Sequence, residues 1–391
     1  MKFLAALILC LLFFNVHLAA QEGVRWAEST GKLPYLEYGP GDDRLGGAKM
    51  TYLDSQVLLQ VVDSLDRDYI VRLSANHKAF IPKENVRLKN DTRPAPAYRL
   101  SGNFRVYGDE RYDYVAIALP EKLPYRSQMQ VEPSRILVDI FGVTSNTNWV
   151  TQLNTAREIR NTWYEQVEDD VLRVHIELGH AQHWGYHIRY DTAGNRLLVR
   201  VKRQPTSMDI RKLSIAIDAG HGGANTGATG VTSGVLEKDY CLRIARELES
   251  NLRKSGTRNI FMTRTTDTTL DMPDRILMLR QADPDLLVSI HLNSSGRDTV
   301  QGTSTYYRYN GFRPLSRHIL KRMLELKLKE FGNVGHFNFA LSGPTEYPNC
   351  LVEVAFLSNP EDEKKILDPR FHKSVSRKIT DGIRDWLKEN K

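Results

Sequence analysis

Cysteine is nearly absent: 391 residues carry three, and Cys10 lies in an apolar run at the amino terminus. Cys241 and Cys350, the other two, make no disulfide framework, and a chain of this length needs none. Basic runs are missing too. The net charge of +7 is spread along the chain, which argues against nucleic acid and fits polyanionic surroundings such as cell wall or lipopolysaccharide. The run from Phe3 to Phe14 is too short to span a bilayer comfortably. With Met1-Lys2 before it and Ala19-Ala20 after it, it has the shape of a secretion signal covering 1–20, with Gln21 as the mature start and no transmembrane helix after cleavage. An uncleaved anchor is the alternative, because Leu18 is not the small residue a cleavage site prefers. Leu9 likewise precedes Cys10 where a lipid-attachment site wants a small residue. Two nucleotide motifs are excluded by what stands around His221. Asn225 occupies the place of a third fingerprint glycine, and GANTGATG lacks the Lys-Ser/Thr ending of a P-loop.

What is present is an ordinary globular composition, 41% hydrophobic and 26% charged, long enough for two or three domains. From Gly46 to Arg87 the runs MTYLDS, VLLQVVDSL and YIVRLSANHKAFIPKENV alternate between apolar and polar and are punctuated by Asp, Ser and Asn. That pattern predicts a small barrel of about five strands within 21–93. It resembles a bacterial SH3-like module, which implies wall or partner binding. Asn90 to Ala97, NDTRPAPA, reads as a stiff linker. Residues 98–203 are again strand-rich, with YDYVAIAL, SRILVDIFGV, DDVLRVHIEL, GYHIRYD and NRLLVRVKR. Asp191 to Asn195 is a hairpin connection, so a β-sandwich is expected. EPSRILVDIFGV and VLRVHIEL resemble the AMIN module of exported amidases, which implies targeting to the envelope.

Four histidines, His175, His180, His183 and His187, fall within thirteen residues. Read on a hairpin, His175 and His187 sit on opposite arms with the other two near the bend. No fixed zinc spacing accompanies them, so solvated or stacked roles are favoured over a metal site. Trp149, Trp163 and Trp184 are read as core residues in preference to sugar-stacking ones.

The stretch that organises the chain is LSIAIDAGHGGAN, from Leu213 to Asn225. An apolar β run breaks into glycines and delivers His221 to a strand's carboxyl end, where ligand groups collect in open α/β sheets. A hydrogen-bonded turn histidine is the competing reading. GVLEKDY then opens a helix with Leu242, Ala245, Leu248 and Leu252 at helical spacing. Glu237 in its first turn either serves the helix dipole or points back to the loop as a ligand. The strand DLLVSIH releases a second imidazole, His291, at the same edge. NCLVEVAF carries the lone carboxylate Glu353, whose burial demands a metal, a function or a salt bridge to Arg264 or Arg275. A helix over about 271–281, another from Pro314 to Glu330 and a last one bearing Val375, Ile379 and Ile383 complete 213–391. The βαβ rhythm predicts an α/β domain with a mixed, mainly parallel sheet flanked by helices. Two imidazoles and one carboxylate leave one position open for water on a zinc ion (Zn2+), and Glu353 is placed to move protons in amide hydrolysis.

DAGHGG, GVLEKDY, SIHLNSS and LVEVAFLSN, in that order, resemble the zinc-dependent N-acetylmuramoyl-L-alanine amidases. The resemblance implies His221, Glu237 and His291 as zinc ligands and Glu353 as the catalytic glutamate. It also implies cleavage of the amide joining the lactyl group of muramic acid to L-alanine of the peptidoglycan stem peptide. The β modules would then engage envelope or activator proteins, with the periplasm as location. Leu279-Arg280 and Asn349 depart from the family pattern away from the metal. Residues 331–348 hold no second long apolar pattern, so an unplugged cleft is expected. A zinc peptidase acting within the stem peptide and a wall-binding scaffold with an idle metal site are the rival readings.

Overall fold

The computed structural model describes residues 25–41, 46–90, 98–192 and 194–391. The expected signal segment and all of the proline-rich linker after Asn90 lie outside them. Among the described residues no helix is long and apolar enough to cross a membrane.

The amino-terminal module is a seven-stranded antiparallel sheet. Strand Lys78–Pro82 shows why: Ala79 and Ile81 turn inward while Lys78 stays exposed, the period of two that the sequence carries. Five strands were expected; Arg25–Ser29 and Tyr35–Glu37, which precede the alternating stretch, supply two more.

The second module packs a four-stranded sheet against a five-stranded one. Val115, Ile117, Val138, Ile140, Val174, Ile176 and Val199 are wholly buried between them. Tyr186–Tyr190 and Arg196–Lys202 pair antiparallel, the two arms expected on either side of Asp191–Asn195. The histidine hairpin is corrected. His175 lies on Val171–Leu178 in the four-stranded sheet and His187 on Tyr186–Tyr190 in the five-stranded one, so residues 179–185 cross between sheets. A continuous polar-apolar rhythm hid that crossing, since either pairing satisfies it.

The third module has a six-stranded sheet ordered Asn259–Met262, Ser214–Ala219, Leu286–Asn293, Asn349–Phe356, Thr303–Tyr306 and Glu330–Val334. The first four strands run parallel, and Thr303–Tyr306 is antiparallel to its neighbour Asn349–Phe356. Helices α1 (Glu237–Lys254), α3 (Arg313–Leu324) and α5 (Pro369–Glu389) cover one face. Ile215, Ile217, Val288, Ile290, Val352 and Val354 meet them there. On the opposite face α2 (Met272–Ala282) packs Ile276 and Leu279 on Ala216 and Leu287. The short helix α4 (Pro360–Ile366) links the last strand to α5. The expected helix to Glu330 ends at Leu324, because Lys327 takes a left-handed backbone (φ 58°) and turns the chain into strand Glu330–Val334.

The modules share cores. Leu33 of the first joins the α2 face of the third, and Phe312 of the third enters the core of the first two. Trp184 packs at a tilt against Trp386 of α5, ring centroids 4.9 Å apart, and the Trp386 indole N–H donates to Gln182 Oε1 at 3.0 Å. Trp184 is therefore core, as read from the sequence. Trp149, read the same way, is 59% exposed, since it flanks a short edge strand. Replacing Trp184 by Ala removes a buried aromatic at the module junction and should cost about 3–5 kcal/mol. Chemical denaturation of parent and variant measures it.

Candidate metal and catalytic site

Strand Ser214–Ala219 ends with Gly220 N donating to Ile290 O at 3.0 Å, which holds the chain beside Leu286–Asn293 for one further residue. Bulk is forbidden there: a Cβ on Gly220 would meet the His291 ring at 2.4–2.7 Å. His221 then takes φ 59°, a left-handed conformation rare outside glycine that aims its ring along the sheet edge. Its Nδ1 lies 2.8 Å from Asn225 Oδ1. Nδ1–H donating to that oxygen leaves Nε2 to face inward, 3.0 Å from Glu237 Oε1. His291, at the end of its strand, places Nδ1 3.1 Å from the same oxygen.

Glu237 is buried at the start of α1. Its carboxylate does not remain a helix-dipole ornament. Oε1 also accepts from Leu292 N at 3.0 Å, and Oε2 accepts from Ala228 N at 2.8 Å. Burial alone would raise its pKa, but the two imidazoles outweigh it and hold the carboxyl well below the usual range. For His221, burial opposes the charged form, yet the hydrogen bond and charge of Glu237 leave its pKa raised. Gly227 makes room: a Cβ there would meet Glu237 Oε2 at 2.5 Å and His221 Cδ2 at 2.8 Å.

One donor atom from each of His221, Glu237 and His291 lies within 4.8 Å of the others, a candidate metal-binding group among the described residues. The separations of 3.0 and 3.1 Å approach the edge of about 3.3 Å in a zinc tetrahedron with bonds near 2.0–2.1 Å. His291 Nε2 is buried without a hydrogen-bond partner. The donor set, two imidazoles and a carboxylate, suits zinc.

Glu353 is the in-register neighbour of His291 on the adjacent parallel strand, so both side chains rise from the same face of the sheet. It is partly exposed, less enclosed than its apolar run suggests. The guanidinium groups of the salt-bridge alternative are engaged elsewhere: Arg275 pairs with Asp218, and Arg264 donates to the carbonyls of Ala219, Gly220, Thr266 and Lys238. Cys241 is buried and free. Burial first, then the nearby carboxylates of Glu237 and Glu353, push its thiol pKa well up, as befits an inert core thiol.

The four clustered histidines do not converge on a metal. His175 stacks flat on Trp163 at 4.9 Å, His180 pairs with Glu158 at 2.7 Å, His183 Nε2 lies 2.7 Å from Gln130 O, and His187 lies 3.8 Å from Glu346. Two family departures are structural. Arg280 pairs with Glu346 at 2.5 Å, and Asn349 Nδ2 donates to Pro344 O and Tyr347 O, both at 3.2 Å. Between His291 and Glu353 the chain forms one α-helix, α3. Phe339 from the connecting loop stands edge-on to His291 at 5.4 Å.

The sequence reading missed Asp218. Its carboxylate, wholly buried, accepts from Arg275 at 2.6 Å, Thr263 Oγ1 at 2.7 Å and Ser289 Oγ at 2.6 Å. Arg275 in turn donates to the carbonyls of Ala219 and His221 and so fixes the loop that presents the imidazole. The signal was a charged residue within an apolar strand, the same one that singled out Glu353.

A family description, N-acetylmuramoyl-L-alanine amidase, matches residues 215–385, and an AMIN domain matches residues 103–201. The chain belongs to the N-acetylmuramoyl-L-alanine amidase family. The probable cell wall amidase LytH of Staphylococcus saprophyticus is 28% identical to it over 194 residues, 49% of this chain and 65% of the relative. The Staphylococcus aureus protein of that name is 30% identical over 175 residues, 44% of this chain and 58% of its own. This chain therefore spans less than two thirds of the length of those relatives. Among solved structures, the catalytic domain of the amidase CwlV from Bacillus (Paenibacillus) polymyxa is 32% identical, covering 46% of this chain and 99% of its own with a TM-score of 0.43. An amidase from Clostridium difficile 630 is 30% identical, covering 46% and 98% with a TM-score of 0.44.

The buried Asp218–Arg275 pair gives a test. Burial works to raise the Asp218 pKa, but Arg275 and the hydroxyl donors leave it lowered. A lowered carboxyl stabilises the fold above its unfolded pKa, and that contribution disappears as pH falls through the folded value. Asp218→Asn should therefore cost about 3–5 kcal/mol at neutral pH by stranding Arg275, with the gap to the parent narrowing as pH falls below the ordinary carboxylate range. Thermal unfolding across that pH series measures both.

Proposed function

We propose that this protein is an exported zinc-dependent hydrolase that cuts the amide between the lactyl group of N-acetylmuramic acid and L-alanine of the peptidoglycan stem peptide. The observation that carries the proposal is the convergence of His221, Glu237 and His291 at one sheet edge with Glu353 beside them on the next strand. The family match, the names of the staphylococcal relatives and the AMIN domain support a wall substrate. Placement outside the cytoplasm is supported by that substrate and by the signal-like start of the sequence, and the periplasm by the AMIN domain.

The three ligands would hold zinc, which supplies Lewis acidity toward the scissile carbonyl and lowers the pKa of water toward about 7. This chain's residues do the rest. Asn225 fixes the His221 tautomer so that Nε2 faces inward. Glu353 takes the proton of the attacking water and passes it to the departing L-alanine nitrogen, one carboxylate serving as base and then as acid. Phe339 and the His221 loop wall the site against bulk water. The two β modules, 21–93 and 98–203, act in targeting, with 213–391 as the catalytic unit.

Glu353→Gln should lower the turnover of purified peptidoglycan by about 10²–10⁴-fold while metal binding persists. Mass analysis of the products decides the bond. Intact stem peptides with free amino-terminal L-alanine are expected from the parent, and none after chelation. Shortened peptides would mean a peptidase, and equal activity of the variant would remove Glu353 from the chemistry.

A further inference from the structure

The three modules line a half-open hollow of about 530 Å³ whose lining includes none of His221, Glu237, His291 and Glu353. Each module contributes cations to it. Lys49 comes from the amino-terminal sheet, Arg126 and Arg173 from the AMIN sandwich, and Arg308 from the amidase domain. Arg126, Asp139 and Arg173 form a cross-strand row on one face of the four-stranded sheet. Asp139 accepts from Arg126 at 2.9 Å and from Arg173 at 2.6 and 2.9 Å. One carboxylate thus serves two guanidinium groups, and among the described residues it is the sole acidic side chain lining the cavity against four cations. Glu37, 3.5 Å behind Lys49, offsets one more. Arg308 is pinned across the junction by Asn338 Oδ1 at 2.7 Å and by the Lys49 carbonyl. Met50, Met129 and Leu137 provide apolar wall between the charges.

Size and chemistry select the occupant. A hollow of this volume accepts a small ligand, within the usual range of about 300–1,000 Å³, and not the flat face of a folded partner. Guanidinium groups held in fixed orientation favour carboxylates. We infer that this inter-module cavity is a second binding site, for a short peptide bearing free carboxylates, built from all three modules and distinct from the hydrolytic cleft. Naming the stem peptide as that ligand rests on the proposed cell-wall function; the preference for carboxylates does not. The loop from Gly335 to Gly343 is a wall shared by both sites. His336 and Asn338 line the cavity, whereas the alternate residues Phe337 and Phe339 pack on Tyr306 at 4.6 Å and on His291 at 5.4 Å.

The test is calorimetric titration of the full chain with the tripeptide L-alanyl-γ-D-glutamyl-L-lysine, with the same peptide carrying amidated carboxyls, and with tetraglutamate. The acid tripeptide should bind, and Lys49→Gln/Arg173→Gln should weaken it by about tenfold or more. The amidated peptide should bind about as weakly to the parent as the acid does to the variant. Lys49→Gln alone, which leaves the Asp139 row intact, should give a smaller loss in the same direction and covers the case in which the double variant fails to fold. Equal binding by parent and variants, or equal binding of acid and amide, overturns the site. Preference for tetraglutamate overturns the stem-peptide assignment in favour of an acidic segment of another protein. If the parent binds the tripeptide through these cations yet releases no peptide from peptidoglycan, the cell-wall reading fails and the cavity stands.

Discussion

A buried carboxylate has to be surrounded, and Glu237 is surrounded by three separate stretches of chain. The imidazoles of His221 and His291 approach Oε1 at 3.0 and 3.1 Å, the amide of Leu292 donates to the same oxygen at 3.0 Å, and that of Ala228 to Oε2 at 2.8 Å. Removing such a charge from water costs several kcal/mol unless partners replace the lost hydration. Those partners are the loop after the first strand, the end of the third strand of the sheet and the segment leading into α1. Satisfying one acid therefore fixes where the helix begins, how far the glycine-rich loop folds back and which face the second histidine shows. Gly220 and Gly227 are needed because the space their side chains would fill is taken by the imidazoles and the carboxylate.

Beneath that cluster lies a second buried acid with the opposite partner chemistry. Asp218 is neutralised by Arg275, and the same guanidinium reaches the carbonyl of His221. One layer sets the sheet edge, and the next presents ligands from it. The rigidity of parallel strands buried on both faces is what makes the placement of a few polar atoms reproducible.

Much of this was legible before the fold was known, for a physical reason. A polar residue at the end of an apolar run, or inside one, is unusual enough to stand out; His221 and His291 stand at such ends and Glu353 within such a run. Glu237 was ambiguous, since the first turn of a helix welcomes an acid for its own sake; the fold sets it 3.0 and 3.1 Å from two imidazoles. Asp218, also a carboxylate inside an apolar run, was passed over in favour of His221 just beyond that run. Long-range placement was less legible. Period-two alternation does not say which strands share a sheet, so the histidine pair 175 and 187 was put on one hairpin instead of two sheets. Nor does local pattern show that Trp184 docks on Trp386, or that Arg126, Arg173, Lys49 and Arg308 face one hollow. The junctions between modules are built from side chains that look like ordinary surface charge when read along the chain.

The central claim is that His221, Glu237 and His291 were brought together to hold one ion. Elemental analysis of the purified full-length protein, beside Glu237→Gln and His291→Ala forms shown to be folded, tests it most directly. About one zinc per chain is expected for the parent, with near-complete loss in both variants. Undiminished zinc in either variant, or none in a folded parent supplied with the metal, would contradict it.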